Sequence, residues 1–130
     1  MDTQIQIPVS PGELLDKLSI LDIKLECIGD EDKLANVRLE HELLSRVWAD
    51  AGLETAGIVA LRGQLRAINQ RLWRIEDKIR DCERRQDFGD HFVSLARSVY
   101  VQNDERAEIK KKINLALGSE IVEEKSYAEY

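Results

Sequence analysis

Asp22 and Glu26 stand four residues apart within the leucine-rich stretch SPGELLDKLSILDIKLE, which runs from Ser10 to Glu26. On a helix that spacing puts both carboxylates on one face, where they repel by roughly 0.2–0.5 kcal/mol unless a base or cation lies between them. Pairing with Lys or Arg is the commoner arrangement, but such a pair also offers the oxygen ligands that Mg²⁺ or Mn²⁺ prefers. His41 falls on a second apolar stripe. It is suited to general-base work if a carboxylate orients it, and is otherwise a core histidine with a satisfied hydrogen bond. Asn103 and Arg106 interrupt a third stripe. Polar residues at one layer of an apolar seam commonly set register or oligomer state, and an arginine fork beside the Tyr100 hydroxyl equally suits an anion pocket. Arg71, Arg74, Lys78 and Arg85 recur along one helix face beside Trp73. A solvated face is the plainest reading of such a stripe; docking of the acidic C-terminal tail, in cis or on a dimer mate, is preferred over nucleic acid. No Ser/His/Asp or Cys/His motif and no glycine-rich phosphate loop accompanies these residues.

The elements that must position them are helices. The 130-residue chain is 43% hydrophobic, 34% charged and only 5% aromatic, with two prolines, a balance that favours amphipathic helices over sheet in one domain spanning residues 1–130. Its net charge of −6 argues against nonspecific nucleic-acid binding. No apolar run approaches the roughly 20 residues that cross a bilayer, and MDTQIQIPVS lacks the basic and apolar regions of a signal peptide. A soluble, cytoplasmic protein is expected, without a membrane partner. Cys27 and Cys82 belong to no CxxC or Cys/His cluster, so they are expected to be reduced and mostly buried.

Along the chain, residues 1–9 read as an extended arm. Ser10 then suits an N-cap, Pro11 the first helical position, and Glu13 completes a capping box. Leu14, Leu18, Leu21, Leu25 and Ile28 predict a first helix over about 11–28. Leu34, Val37, His41, Leu44 and Trp48 predict a second, capped by Asp30 or Asp32 and ending near Ala51 and Gly52. Ile58, Leu61, Leu65, Ile68, Leu72, Ile75, Ile79 and Cys82 alternate spacings of three and four, a sustained heptad that predicts a long third helix. After a break at about Asp87 to Asp90 a fourth helix follows from about His91 to Leu117, and residues 118–130 form an acidic tail with Tyr127 and Tyr130.

These elements predict an all-α antiparallel bundle of about four helices with a long helix 3/helix 4 hairpin. Folding helix 1 on helix 2 about Gly29 brings Asp22 near Arg38 and Leu18 near His41. Folding helix 3 on helix 4 about Gly89 brings Glu76 near Asn103 and Leu72 near Arg106. Stacking the two hairpins then collects Asp22, Glu26, His41, Glu76, Asn103 and Arg106 into one candidate polar site. So long a heptad seam on so slender a hairpin predicts a homodimer with helix 3 or helix 4 at the interface.

PVSPGELLDKLSILDIKLE, LWRIEDKIR, LARSVY, NDERAEIKKKIN and GSEIVEEKSY together resemble a small bacterial family known only as a domain of unknown function. That resemblance covers nearly the whole chain and implies a stand-alone helical protein, with no activity, cofactor or catalytic residue to carry over. Glu13-x-x-Asp16 and Glu105-x-x-Glu108 also invite comparison with the all-α nucleotide pyrophosphohydrolases, whose E-x-x-E and E-x-x-D motifs hold Mg²⁺. Here the order of the motifs is reversed and they lie far apart. The reading of the sequence is therefore a self-associating protein- or ligand-binding module without a cofactor, its partner a second copy, another protein or a small anionic ligand. The alternative is a Mg²⁺-dependent enzyme of the pyrophosphohydrolase kind, with Asp22 and Glu26 on the metal.

Overall fold

The computed structural model describes residues 1–130 as four helices with no strand: α1 Pro11–Cys27, α2 Glu31–Ala51, α3 Ala56–Arg84 and α4 Asp90–Ala116. Local chemistry sets their ends. Ser10 Oγ accepts from the Glu13 amide at 3.1 Å, Asp30 from Lys33 at 3.0 Å and Thr55 from Ile58 at 3.2 Å, each satisfying an amide donor that the helix leaves free. Glu13 supplies only half of the predicted capping box, because its carboxylate pairs with Lys110 at 2.6 Å. α3 and α4 both end in the paired six-to-one and five-to-two hydrogen bonds that close a helix through a left-handed residue. In α4 that residue is Gly118; in α3 it is Gln86, at φ 55°.

The helices do not stack as two equal hairpins. α1 packs against all three others, while the backbone of α2 approaches α1 alone. Leu14, Leu15 and Leu18 of α1 meet Ile58, Leu65 and Ile68 of α3 and Ile109 and Ile113 of α4, and Trp48 at the end of α2 reaches the same core. Burying a side chain of this size contributes about 1.5–3 kcal/mol, so this cluster dominates stability. α1 owes its central place to its two-sided burial, since Leu21 and Ile23 are buried as well as the leucine stripe.

The 29 residues of α3 run about 43 Å, whereas the 17 of α1 cover only about 25 Å. The outer half of the α3/α4 hairpin therefore lies beyond α1, with consequences visible along the heptad. Ile58, Leu65 and Ile68 are buried, but Leu72, Ile75 and Ile79 are only half-buried, and burial returns at Cys82, near the turn. Cys27, expected to be buried, is exposed at the end of α1; Cys82 is buried, and both are free. The arm over residues 1–9 adopts no regular structure, and Ile5 and Ile7 are exposed.

Candidate functional site

The six residues of the predicted polar site fall into two groups on opposite sides of α1. In the first, His41 Nε2 lies 2.8 Å from Asp22 Oδ1, and Arg62 of α3 approaches the other oxygen of Asp22 at 3.8 Å. Glu26 pairs with Arg66. The packing register of α1 on α2 therefore differs by about one turn from the predicted one: Asp22 faces His41, while Arg38 pairs with Glu31 of its own helix at 3.5 Å. His41 has the orienting carboxylate that general-base chemistry requires.

The second group lies where α1 ends its cover of the hairpin. Glu76, Asn103 and Arg106 share a cleft of about 420 Å³ with Ile20, Asn69, Leu72 and Trp73. Arg106 donates to Asn69 Oδ1 at 3.2 Å, and Asn69 donates onward to Asp16 Oδ1 at 2.9 Å. Lys110 stands 3.7 Å from Asp16 and 2.6 Å from Glu13. Asp16 and Asn69 are both buried, so this chain of contacts is the polar spine between α1, α3 and α4.

The carboxylates of the predicted site, and of the two acidic motifs apart from Glu108, are matched to cations rather than to each other. Glu13 and Asp16, the E-x-x-D pair, both face the Lys110 ammonium. Glu105 faces Arg71 at 3.8 Å, Glu76 faces Arg80 at 3.4 Å, and Asp104 faces Lys125. No group of three or more His, Cys, Asp or Glu side chains is placed to share a metal ion. The residues present do not fit the Mg²⁺ cluster of the alternative reading, because Asp22 and Glu26 turn to different arginines.

On the basic stripe, Arg71 is engaged by Gln102 and Glu105, and Arg85 by Asp81 and Asp87. The hydrogen bond from Arg84, supported by the Arg85 and Arg84 charges, holds the Asp81 carboxyl below its ordinary value against an opposing push from desolvation. Arg74 and Lys78 are exposed. The tail does not dock on this stripe. It lies along α4 instead, where Glu123 accepts from Ser10 and from Asn114 Nδ2 (3.0 Å) and Glu124 meets Lys111 at 3.2 Å. Further out, Lys125 and the Tyr130 hydroxyl (2.7 Å) both reach Asp104, and the Tyr130 ring meets Tyr100 edge-on. α4 presents an ordered row of donors, Asn114 and Lys111, then an acceptor, Asp104, that matches the tail's own order.

Titration of the tail contacts follows from this geometry. Burial pushes the Glu123 carboxyl up, but hydrogen bonds from Ser10, its own backbone amide and Asn114, with the Lys110 charge nearby, outweigh it and leave it lowered. Lys125 and Tyr130 hold Asp104 low, and Asp104 in turn raises Tyr130. The lowered carboxyls stabilise the docked tail above their free values, and this is lost as pH falls through the docked ones. Tyr130 contributes below its free value and ceases to do so as pH rises through the raised one. The tail should thus be docked from neutrality through mild alkali and leave in acid, read from Tyr130 ring resonances. Resonances unchanged from neutrality to well below the carboxylate range would contradict this.

The sequence profile of a family of unknown function (DUF6165) matches residues 5–130, from the N-terminal arm to the last residue. The chain belongs to that family. No curated protein and no solved structure matches it. No helix of this DUF6165 chain is long and apolar enough to cross a membrane.

Residues that sequence reasoning passed over carry much of the buried polar structure. Asp16 is buried, whereas Lys17 beside it is exposed. Asn69 and Asn114 are buried beside Ile68 and Ile113, one position off the apolar stripes, where a polar residue reads as the edge of a solvated face. Gly12 carried a usable signal. A glycine in the first turn of a helix costs about 1 kcal/mol relative to alanine and asks for a reason. The reason is proximity to α4, whose Asn114 Oδ1 accepts from the Gly12 amide at 2.8 Å.

Proposed function

We propose that this protein is a self-associating helical binding module, and that a second copy covers the outer half of the α3/α4 hairpin. The observation that carries the reading is the contrast along one heptad: Ile58, Leu65 and Ile68 are buried where α1 and α4 both lie on α3, whereas Leu72, Ile75 and Ile79, further out on the hairpin, are only half-buried. A regular apolar stripe that continues past its intramolecular cover is what a coiled-coil partner buries. Trp73 is the natural anchor, half-exposed at the cleft that holds Glu76, Asn103 and Arg106. Those three polar groups would set the register of the incoming helix rather than supply affinity. A catalytic reading has no comparable support, because Glu13, Asp16, Asp22, Glu26, Glu76 and Glu105 are each paired with a cation and no cluster of acidic side chains is placed to share a metal.

Analytical ultracentrifugation at micromolar concentration tests this. The wild-type chain is expected to sediment as a dimer. Trp73→Ala is expected to weaken the dimer by about 2 kcal/mol or more, as truncation of an aromatic anchor does, with helicity unchanged. A wild-type chain that stays monomeric at tens of micromolar would remove the proposal.

A further inference from the structure

The tail is seated in a site that the rest of the molecule has built. Asn114 is fully buried, and its amide is oriented from both ends: Oδ1 accepts from the Gly12 amide at 2.8 Å, which leaves Nδ2 directed at the Glu123 carboxylate at 3.0 Å. Ser10 is 1% exposed, and its hydroxyl accepts from the Glu13 amide while donating to the same carboxylate. Lys110 adds a positive charge close by, and the seat lies at the amino end of α1, where the helix dipole favours an anion. Lys111 holds the next carboxylate through both oxygens, at 3.2 and 3.3 Å. Ser10 and Asn114 are thus buried receptor groups, with Lys111 exposed beside them. The ligand side is exposed throughout: Glu123 to Tyr130 are held by ion pairs, hydrogen bonds and one edge-on ring contact. Contacts of this kind are individually weak and are screened by salt.

A firm receptor holding a loosely held copy of its ligand has the form of an occupied binding site. We propose that the groove between the amino end of α1 and α4 binds an acidic, tyrosine-bearing peptide segment of a partner protein, and that the C-terminal tail is its built-in competitor. The tail shows what the groove takes. It takes two successive carboxylates, one on Ser10 and Asn114 and one on Lys111, followed after a short interval by an aromatic ring on Tyr100. Departure of the tail leaves the Asn114 amide, the Ser10 hydroxyl and the Lys111 ammonium without their acceptors, so an acidic segment from outside can replace it without rearranging the helices. This surface is separate from the outer hairpin, so neither proposal depends on the other.

Fluorescence anisotropy with a labelled synthetic peptide of residues 119–130 tests the groove on full-length protein. Wild type, whose tail competes at high effective concentration, is expected to bind the peptide weakly. The variant Glu123→Gln/Glu124→Gln, whose own tail has lost both carboxylates, should bind it about tenfold tighter or better. Adding Lys111→Glu, at an exposed position, should abolish the gain, and raised salt should weaken it. Equal binding by wild type and the double variant would show that the tail does not compete and overturn the proposal, as would no binding by the double variant. A double variant that sediments at lower mass than wild type would assign the tail to a second copy and overturn competition in cis.

Discussion

Gly12→Ala is expected to destabilise the protein by about 2–3 kcal/mol, the range for forcing extra atoms into a packed interface. The sign makes the experiment informative, because alanine is the better helix former by about 1 kcal/mol and would otherwise stabilise. A Cβ at this position would lie 2.6 Å from the Lys110 carbonyl oxygen and 2.9 Å from Asn114 Oδ1. The first of these is backbone in the C-terminal third of α4 and cannot rotate away. α1 and α4 must separate, and separation stretches the 2.8 Å hydrogen bond from the Gly12 amide to Asn114 that orients the seat for Glu123. Gly63, in α3, is the matched control, since a Cβ there meets nothing within 4 Å. Gly63→Ala is expected to gain stability by up to about 1 kcal/mol. Urea denaturation of the two variants beside wild type checks both signs; a Gly12→Ala protein as stable as wild type would mean that the close approach of α1 to α4 is dispensable.

Asp16→Ala is expected to cost about 3–4 kcal/mol, as breaking a buried ion pair from one side does. Asp16 accepts from Asn69 Nδ2 at 2.9 Å and faces Lys110 at 3.7 Å, and every buried side-chain polar atom in the structure has a partner. Removing the carboxylate leaves the Asn69 amide without its acceptor and Lys110 with Glu13 alone, in an interface that water enters poorly. Asn69 also holds Arg106 at 3.2 Å, so the disturbance reaches the outer cleft. The double variant Asp16→Leu/Asn69→Leu should recover part of the loss, because it removes the stranded amide together with the carboxylate that it bonded and leaves Lys110 paired with Glu13. Thermal and urea unfolding of the single and double variants measure this. A single-variant loss under about 1 kcal/mol would mean that the spine is not a stability element.

These two predictions rest on residues whose roles were unevenly legible. The run Ser10, Pro11, Gly12, Glu13 reads as helix initiation, and Ser10 and Pro11 perform that role. Three of them also make contacts far along the chain: Gly12 meets Asn114 and Glu13 meets Lys110, both of α4, and Ser10 meets Glu123 of the tail. Capping is written into three or four consecutive residues, so it can be read directly. A contact between residues separated by more than a hundred positions depends on which helices adjoin and in what register.

The predicted polar layer shows the same division. Placing Asp22 near helix 2 and Glu76 near Asn103 required only that neighbouring helices fold back on each other, which short turns at Gly29 and Gly89 demand. Joining those two groups into one site required α1 and α2 to stack on α3 and α4 as a pair. α1 instead lies between them, because both of its faces are apolar: Leu14, Leu15, Leu18, Leu21 and Ile23 are all buried. A histidine and a carboxylate therefore meet on one side of α1, and an asparagine and an arginine on the other.

Legible from the sequence alone were the four helices, their ends to within about two residues, the length of the hairpin and the heptad seam along it. Each depends on periodicity, capping or a breaker residue, interactions that act within a few positions along the chain. Tertiary structure alone decided that α1 is the hub, that Asp16, Asn69 and Asn114 are buried, and that the tail lies on α4 rather than on the basic stripe of α3. Those outcomes turn on the relative rotation and register of packed helices, and a rotation of half a turn exchanges the buried and exposed faces without altering any local preference.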